Sequence, residues 1–403
     1  MSNLNVAAGR QVAAEPVLTA RDLQPWLSQQ AGRIEAANRI LEDVAARLVE
    51  AGLFRMSVPR RFGGLELCPS EISRAVFEVA RGCASSAWIV GLVAANLMMV
   101  GKFSDLAQEE VFGGDRAAIV PMLTGGVGYD INVRQAEGGI LLSGKWRYAS
   151  GIDIASWVGL LITLPDDGEQ SGRTVLVLVP KKSFDIDHES WRVLGMRGTG
   201  SKNVVLPEVF VPEHRMMDWA TLQNGGHHPE CSNDGAIFRY PLNSAFALSV
   251  AAPTLGVAGA VVETYRNTVR TRVASGTGQA QAQDRIAQIS VAGGSAVIDL
   301  LEEGLVNGAR NLTERVDRGE EIELTDRAMF RMRIATSTTI ALREAQKIFR
   351  SVGGSLLPEG TALERSFRDL HAMSSHFLLQ EEPIGELFGR ILLDLELPTN
   401  ARI

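Results

Sequence analysis

Two stretches of helical texture enclose one strand-rich stretch, and that order limits the folds open to this chain. From residue 22 to about 112 the apolar residues recur at helical spacing. Ile40, Leu41, Val44 and Leu48 mark one stripe, closed by Gly52, and Ala75, Val79 and Cys83 mark a second. The run Ala84-Ser85-Ser86-Ala87 follows, small enough for helices or a ligand to approach closely. From about residue 119 to 219 the texture changes to short β-branched segments separated by Gly, Pro and Asp. Strands are predicted over residues 140–142, 157–163, 174–179 and 204–211, with turns at Gly138-Gly139 and Asp166-Asp167-Gly168. Strands without intervening helices predict a small antiparallel sheet or barrel. From about residue 236 the helical period returns, with long amphipathic segments at 255–273, 284–318 and 325–352. The last has Thr325 as its predicted N-cap and Gly353-Gly354 as its stop, and helices of this length predict a four-helix bundle. The expected fold class is α+β. It comprises an N-terminal helical domain (1–118), a central antiparallel β domain (119–222) and a C-terminal four-helix bundle (223–403).

Charge and cysteine content narrow the function classes. A net charge of −7 argues against a nucleic-acid binder, which needs a basic face. Residues 1–17 lack a basic segment followed by an apolar one, so no secretory signal is read there. No apolar run is expected to reach bilayer-spanning length; the longest, residues 87–100, is interrupted by Asn96 and reads as a buried helix. Cys68, Cys83 and Cys231 form no CxxC pair, which argues against a disulfide framework or a zinc site. A cytoplasmic protein without membrane or nucleic-acid partners is the expectation. His227-His228, in a polar loop, lacks a third ligand at metal-binding spacing.

Familiar nucleotide motifs fail on inspection. The segment Gly195-Met196-Arg197-Gly198-Thr199-Gly200-Ser201-Lys202 imitates a phosphate loop, but its serine and lysine stand in the wrong order. Gly125-Gly126-Val127-Gly128 lacks dinucleotide-fingerprint spacing, and no Gly-x-Ser-x-Gly supports a hydrolase triad. What remains is His371 and His376, five apart in a chain with six histidines. Imidazole is the side chain whose ordinary pKa lies near neutrality, so it exchanges protons without extreme tuning.

The arrangement resembles the acyl-CoA dehydrogenase fold over nearly the whole chain. The resemblance rests on Trp146-Arg147-Tyr148-Ala149-Ser150-Gly151, on Leu194-Gly195-Met196-Arg197 with Val209-Phe210-Val211-Pro212, and on Gly353-Gly354 followed by Arg368-Asp369. Within that superfamily it is most similar to the flavin-dependent monooxygenases, the oxygenase halves of two-component systems such as p-hydroxyphenylacetate hydroxylase. The dehydrogenases place a glutamate base about nine residues after the equivalent of Arg368. Phe377 stands there in this chain, with His376 before it and Glu381 and Glu382 one turn later.

The resemblance implies a reduced-flavin-dependent monooxygenase. Reduced FMN arrives as a diffusible co-substrate from a separate NAD(P)H:flavin reductase, with FAD as the other possible flavin, and reacts with O2 through a C4a-hydroperoxyflavin. By the same resemblance His376 is the catalytic residue and His371 its structural companion. Ser150 lies near flavin N5, and Trp146 lies against the isoalloxazine or in the core. Ser201, Lys202, Gly353, Gly354 and Ser355 contact the ribityl phosphate. Arg272 reaches the flavin phosphate of a neighbouring subunit in a homotetramer, or is a solvated helix residue. Asn96 and Ala117 or Ala118 stand where relatives hold a phenol, beside Leu97, Met98 and Met99. That wall is less polar, so the implied substrate is a small aromatic or heteroaromatic molecule, an indole for example, rather than p-hydroxyphenylacetate. Amine or amino-sugar N-oxygenation, and acyl-CoA dehydrogenation with bound FAD, are the alternatives. A measured preference for carboxylated phenols contradicts the substrate expectation.

Overall fold

The computed structural model describes residues 2–114, 117–124, 128–165, 172–273, 278–356 and 358–398, with side chains of 2–15, 355 and 356 outside the description. The turn expected at Asp166-Asp167-Gly168 and most of Gly125-Gly126-Val127-Gly128 therefore lie outside the described residues. Five helices come first: α1 (Ser2–Ala37), α2 (Glu42–Glu50), α3 (Pro69–Gly82), α4 (Ala84–Val100) and α5 (Asp105–Phe112). Gly52, at φ +72°, ends the α2 segment as its position after the apolar stripe predicts.

Among the described residues eight strands follow: β1 (Met122–Leu123), β2 (Gly128–Ala136), β3 (Gly139–Ala149), β4 (Trp157–Thr163), β5 (Thr174–Pro180), β6 (Asp185–Asp187), β7 (Lys202–Pro212) and β8 (Met216–Asp218). They form two four-stranded sheets, ordered β1-β4-β5-β8 and β2-β3-β7-β6. Pairing is antiparallel except for the short β1–β4 pair, which is parallel. Gly138, at φ +71°, supplies the predicted turn between β2 and β3. Alternate residues of β3, β4, β5 and β7 fill a separate apolar core between the sheets.

The chain then returns to helix with α6 (Trp219–Gln223), α7 (Ala236–Arg239), α8 (Leu242–Thr271), α9 (Arg285–Asp317), α10 (Leu324–Val352), α11 (Ala362–Ser374) and α12 (Glu381–Leu392). Two expectations need correction. Thr325 lies inside α10, whose N-cap is Glu323 without a capping side-chain bond. And α8 begins 13 residues before the predicted start, making one run long and apolar enough to span a bilayer, with a hydropathy of 1.9 over its best window. Nearly all of that window is buried by protein. The first half of α8 is buried on nearly every side and lacks a polar stripe, so helical periodicity cannot reveal it.

The helices before and after the sheets share one hydrophobic core. Two glycines make this possible. A Cβ on Gly91 would sit 2.5 Å from the Ser249 carbonyl oxygen, and one on Gly256 would sit 2.7 Å from that of Phe77. Backbone contact at these points brings α4 and α3 directly against α8.

A second junction fastens the sheets to α11. The Met196 amide donates to Asp369 Oδ1 at 2.6 Å, and Arg368 Nη1 donates to the Leu194 carbonyl at 3.0 Å. Arg368 also pairs with Glu364 and, at 2.5 Å, with Glu35 of α1. Burial alone would raise the Glu35 carboxyl, but hydrogen bonds from Arg368 and Arg365 hold it below its ordinary value. Asp369 goes the other way: burial pushes it up to about 6, with the Met196 amide opposing.

Asp369→Ala leaves the buried Met196 amide without its acceptor and is expected to cost about 1–3 kcal/mol in denaturant unfolding. Asp369→Asn keeps an acceptor and should cost less. The folded carboxyl holds its proton more tightly than the unfolded one, so the wild-type contribution rises as pH falls from about 6 toward 4. Asp369→Asn should remove that rise, seen by repeating the unfolding curves across this range.

Candidate active site

The first turns of α4 connect the pieces. Cys83 breaks the chain between α3 and α4, so Ser85, Trp88 and Ile89 emerge together on adjoining positions of the new helix. A Cβ on Gly198 would meet Ser85 Oγ at 2.9 Å, and one on Gly151 would meet Ile89 Cγ2 at 3.1 Å. The Trp88 ring lies 5.5 Å from that of His376, edge to face. One helix end thus touches the Ser150 turn, the 194–201 loop and His376. The small-residue run serves helix–loop approach.

Ser150 heads a row of hydroxyls. Its Oγ lies 2.8 Å from Ser201 Oγ, which lies 2.7 Å from Thr199 Oγ1, and Thr199 Oγ1 donates to the Met196 carbonyl at 2.9 Å. Thr199 and Ser201 are buried, while Ser150 is half-buried. Lys202 is 4% exposed and donates to Asp153 Oδ1 at 2.7 Å. Its charge is therefore committed within the chain, and the ammonium expected at a phosphate holds an aspartate instead. Breaking such a pair strands a buried charge, which costs about 3–5 kcal/mol.

Trp146 is a core residue. Its indole is fully buried between the sheets, with Nε1 lacking a partner among the described residues. The register shift between Trp146 and Ala149 turns Arg147 and Tyr148 outward instead. Asn96 Nδ2 donates to the Val120 carbonyl at 2.8 Å, and its buried Oδ1 has no partner among the described residues. Leu97, Met98, Met99 and Ala118 are buried in the shared core. Arg272, the C-cap of α8, approaches the Val352 carbonyl at 3.5 Å, which puts it beside Gly353 at the end of α10. Gly353, at φ +60°, and Gly354 are exposed there; the side chain of Ser355 lies outside the description. No hydrogen bond among the described residues joins this corner to Ser150 or His376.

The two histidines of the motif differ in every respect. His371 Nδ1 lies 2.7 Å from the Phe367 carbonyl, so that nitrogen carries the proton and Nε2 accepts from Gln346 at 3.3 Å. Both ring nitrogens are satisfied, which is a structural role. His376 caps the turn Phe377–Leu379: its Nδ1 accepts the Leu378 amide at 3.3 Å. In the neutral ring the proton then sits on Nε2, available to donate. Phe377 stacks on the ring. Burial pushes the imidazole down to about 4, and the Arg331 guanidinium adds to that shift. Arg331, from α10, is 5% exposed and donates to the Leu378 carbonyl at 3.3 Å, without a carboxylate partner among the described residues. The Leu378 peptide therefore stands between the two, held by Arg331 at its oxygen and holding His376 at its nitrogen. Near pH 7 His376 is a neutral hydrogen-bond donor.

A cavity of about 530 Å³, lined by His227, His228, Arg173 and Asp218, adjoins the Gly139 end of β3, opposite the end leading to Ser150. It contains none of the residues above, so its size says nothing about this site.

Known proteins similar to this chain identify its family. Residues 20–112 match the acyl-CoA dehydrogenase N-terminal domain, and residues 248–381 match the acyl-CoA dehydrogenase C-terminal domain. The oxygenase subunit HsaA of a flavin-dependent monooxygenase from Rhodococcus jostii is 30% identical over 91% of this chain and 95% of its own. The oxygenase component of an FADH2-dependent resorcinol hydroxylase from a Rhizobium species is 30% identical over 91% of each. The crystal structure of the 3-HSA hydroxylase from a Rhodococcus species superposes with a TM-score of 0.88, at 28% identity and over 95% of this chain and 98% of that one. The chain belongs to the acyl-CoA dehydrogenase family, among the oxygenase components of its flavin-dependent monooxygenases. The dehydrogenase and N-oxygenase alternatives find no support in these relatives. Consistently, Phe377 is exposed where a dehydrogenase base would stand, and Glu381 and Glu382 open α12 instead.

Trp88, Thr199, Asp153 and Arg331 were not singled out from sequence. Trp88 and Arg331 sit in helical apolar patterns, and Thr199 and Asp153 act through partners distant or unmarked in sequence.

Because the folded imidazole binds its proton less tightly than the unfolded one, its contribution to stability is complete above the ordinary value of 6.5. It is lost as pH falls toward about 4. Arg331→Met removes the neighbouring positive charge and should move the His376 titration upward in histidine NMR, narrowing that window. An unchanged titration would refute the electrostatic link.

Proposed function

We propose that this oxygenase hydroxylates a small aromatic or heteroaromatic substrate with O2 and reduced FMN, His376 acting as the donor that holds oxygen at the reacting centre. The reading rests on one observation above the others. His376 is a neutral imidazole with Nδ1 engaged by the Leu378 amide, on the same helix end as the Ser150 hydroxyl row. When bound, reduced flavin supplies the electrons that activate O2. The donor set fits such a group: a half-buried hydroxyl backed by buried ones, and a neutral imidazole that meets the same end of α4.

The protein's own contribution is position and dryness. Trp88 and Phe377 flank the imidazole, and the Leu378 amide fixes the proton on Nε2. Such a donor stabilises negative charge developing on an oxygen far better than water does. With Nδ1 already accepting, His376 works as a donor rather than as a base that takes the substrate's proton. Asn96 presents an acceptor fixed by its bond to Val120 and suits a substrate N–H or O–H. The resorcinol hydroxylase relative supports an aromatic ring, and a fused ring such as indole suits the apolar wall.

The names of the relatives, oxygenase subunit and oxygenase component, imply a separate partner. We take it to be an NAD(P)H-dependent flavin reductase that engages transiently. FAD is the other flavin to test, since the resorcinol hydroxylase is FADH2-dependent. Arg272, Gly353, Gly354 and Ser355 belong, on this reading, to a flavin-phosphate corner completed across subunits of a homotetramer. Ser201 and Lys202 support the flavin site from behind. A cytoplasmic enzyme divided at about residues 118 and 222 is the matching organisation.

Anaerobically reduced FMN mixed with the protein and then with O2 should regain its oxidised absorbance with a delay relative to free flavin; reoxidation at the free rate defeats the reading. His376→Ala should lower hydroxylated product per O2 consumed by roughly 10²-fold while sparing reduced-FMN binding. Normal hydroxylation by that variant would remove His376 from the mechanism.

A further inference from the structure

The hydroxyl row behind Ser150 has a direction that its atoms dictate. A carbonyl can only accept, so the single Thr199 proton goes to the Met196 oxygen. Thr199 Oγ1 has no second proton for Ser201, so the 2.7 Å bond between them requires Ser201 to donate. Ser201 then has none left for Ser150, so the 2.8 Å bond between those two requires Ser150 to donate. Thr199 and Ser201 are 1% and 5% exposed, and water has little access to rearrange them. The proton of Ser150 therefore points inward. Toward the half-open side it presents lone pairs alone.

We propose that Thr199 is a positioning residue that makes Ser150 an obligate hydrogen-bond acceptor, and that the protein thereby prefers flavin bearing hydrogen at N5 over oxidised flavin. This rests on the placement of Ser150 at the flavin in the preceding reading. Reduced flavin carries a hydrogen at N5, whereas oxidised flavin offers a lone pair there. An outward Ser150 proton would suit the oxidised form; the inward one suits the reduced form and leaves two acceptors facing each other when the flavin is oxidised. An enzyme that takes up reduced flavin and releases oxidised flavin gains direction from such a contact. The selecting element is the Met196 carbonyl at the far end of the row. Its position is set in turn by the Met196 amide bond to Asp369.

The test compares dissociation constants for anaerobically reduced and for oxidised FMN, with no substrate turnover. Wild type should bind the reduced form more tightly. Thr199→Val keeps the shape, removes the hydroxyl and frees Ser201 to reorient, and should shrink the reduced-to-oxidised preference about tenfold. That corresponds to about a 30 mV fall in the midpoint potential of bound FMN. Thr199→Ser should keep the preference. Ser201→Ala leaves Ser150 without its inward acceptor and should reproduce the loss, which carries the test if Thr199→Val does not fold. Ser150→Ala separates the two ideas. If it changes neither constant, Ser150 is not at the flavin and the preceding reading fails. If it abolishes the preference while Thr199→Val and Ser201→Ala retain it, the placement stands and the directed row is overturned.

Discussion

The site exists because a β-domain loop is fastened to a helix some 170 residues later in the chain. Residues 194–201 leave the sheets between β6 and β7 and have little apolar surface of their own to hold them. Asp369 takes the Met196 amide and Arg368 takes the Leu194 carbonyl, so two adjacent side chains of α11 fix the loop by its backbone. Backbone anchoring matters because Met196 sits at φ +56°, a conformation a non-glycine residue holds only when its surroundings insist. The same helix ends at Ser374, two residues before His376. Whatever displaces the loop also shifts the imidazole relative to Ser150, and the cost of burying the Asp369 carboxylate is part of keeping them in register.

A second constraint comes from α4, which lies almost wholly within the shared core. Its first turns meet the loop at Ser85, the Ser150 turn at Ile89 and the imidazole at Trp88, while Gly91 lets it lie against α8 at backbone distance. A rigid element carrying three contacts holds the candidate groups more accurately than three loops could. This is also why the two helical regions cannot be treated as independent units. The helix that walls the site is packed by elements from both ends of the chain.

What the sequence made visible was local. The strands at 157–163 and 174–179, the Gly138 turn and the Gly353 stop each follow from a period or a turn residue within a few positions. What it hid depended on partners far along the chain. The resemblance put Lys202 at the ribityl phosphate, and nothing in the sequence around Asp153, 49 residues earlier, marks it as the partner of that ammonium. The resemblance left Trp146 open between the isoalloxazine and the core; a register shift just after it decides which way β3 looks, and alternation does not report a bulge. The first half of α8 was missed for the opposite reason: burial on nearly every side erases the polar stripe that makes a helix recognisable. His371 and His376 stood out by their spacing, and the resemblance alone ranked His376 above its neighbour. Its tautomer, which decides what it can do, required the Leu378 amide.

His376 and Ser150 share a construction that goes beyond their proximity. Each is half-buried, and each has its hydrogen-bonding sense set from behind by a more deeply buried group rather than by the ligand in front. The Leu378 amide, braced by Arg331, leaves the imidazole with a donor; the Thr199 hydroxyl, braced by the Met196 carbonyl, leaves the serine with an acceptor. A hydroxyl or imidazole free to rotate would adapt to any flavin or oxygen species and discriminate among none. Fixing the sense beforehand makes the wrong partner face a like group, and that penalty is largest where water is scarce. One donor and one acceptor of fixed sense would distinguish states of a ligand that differ by a single hydrogen.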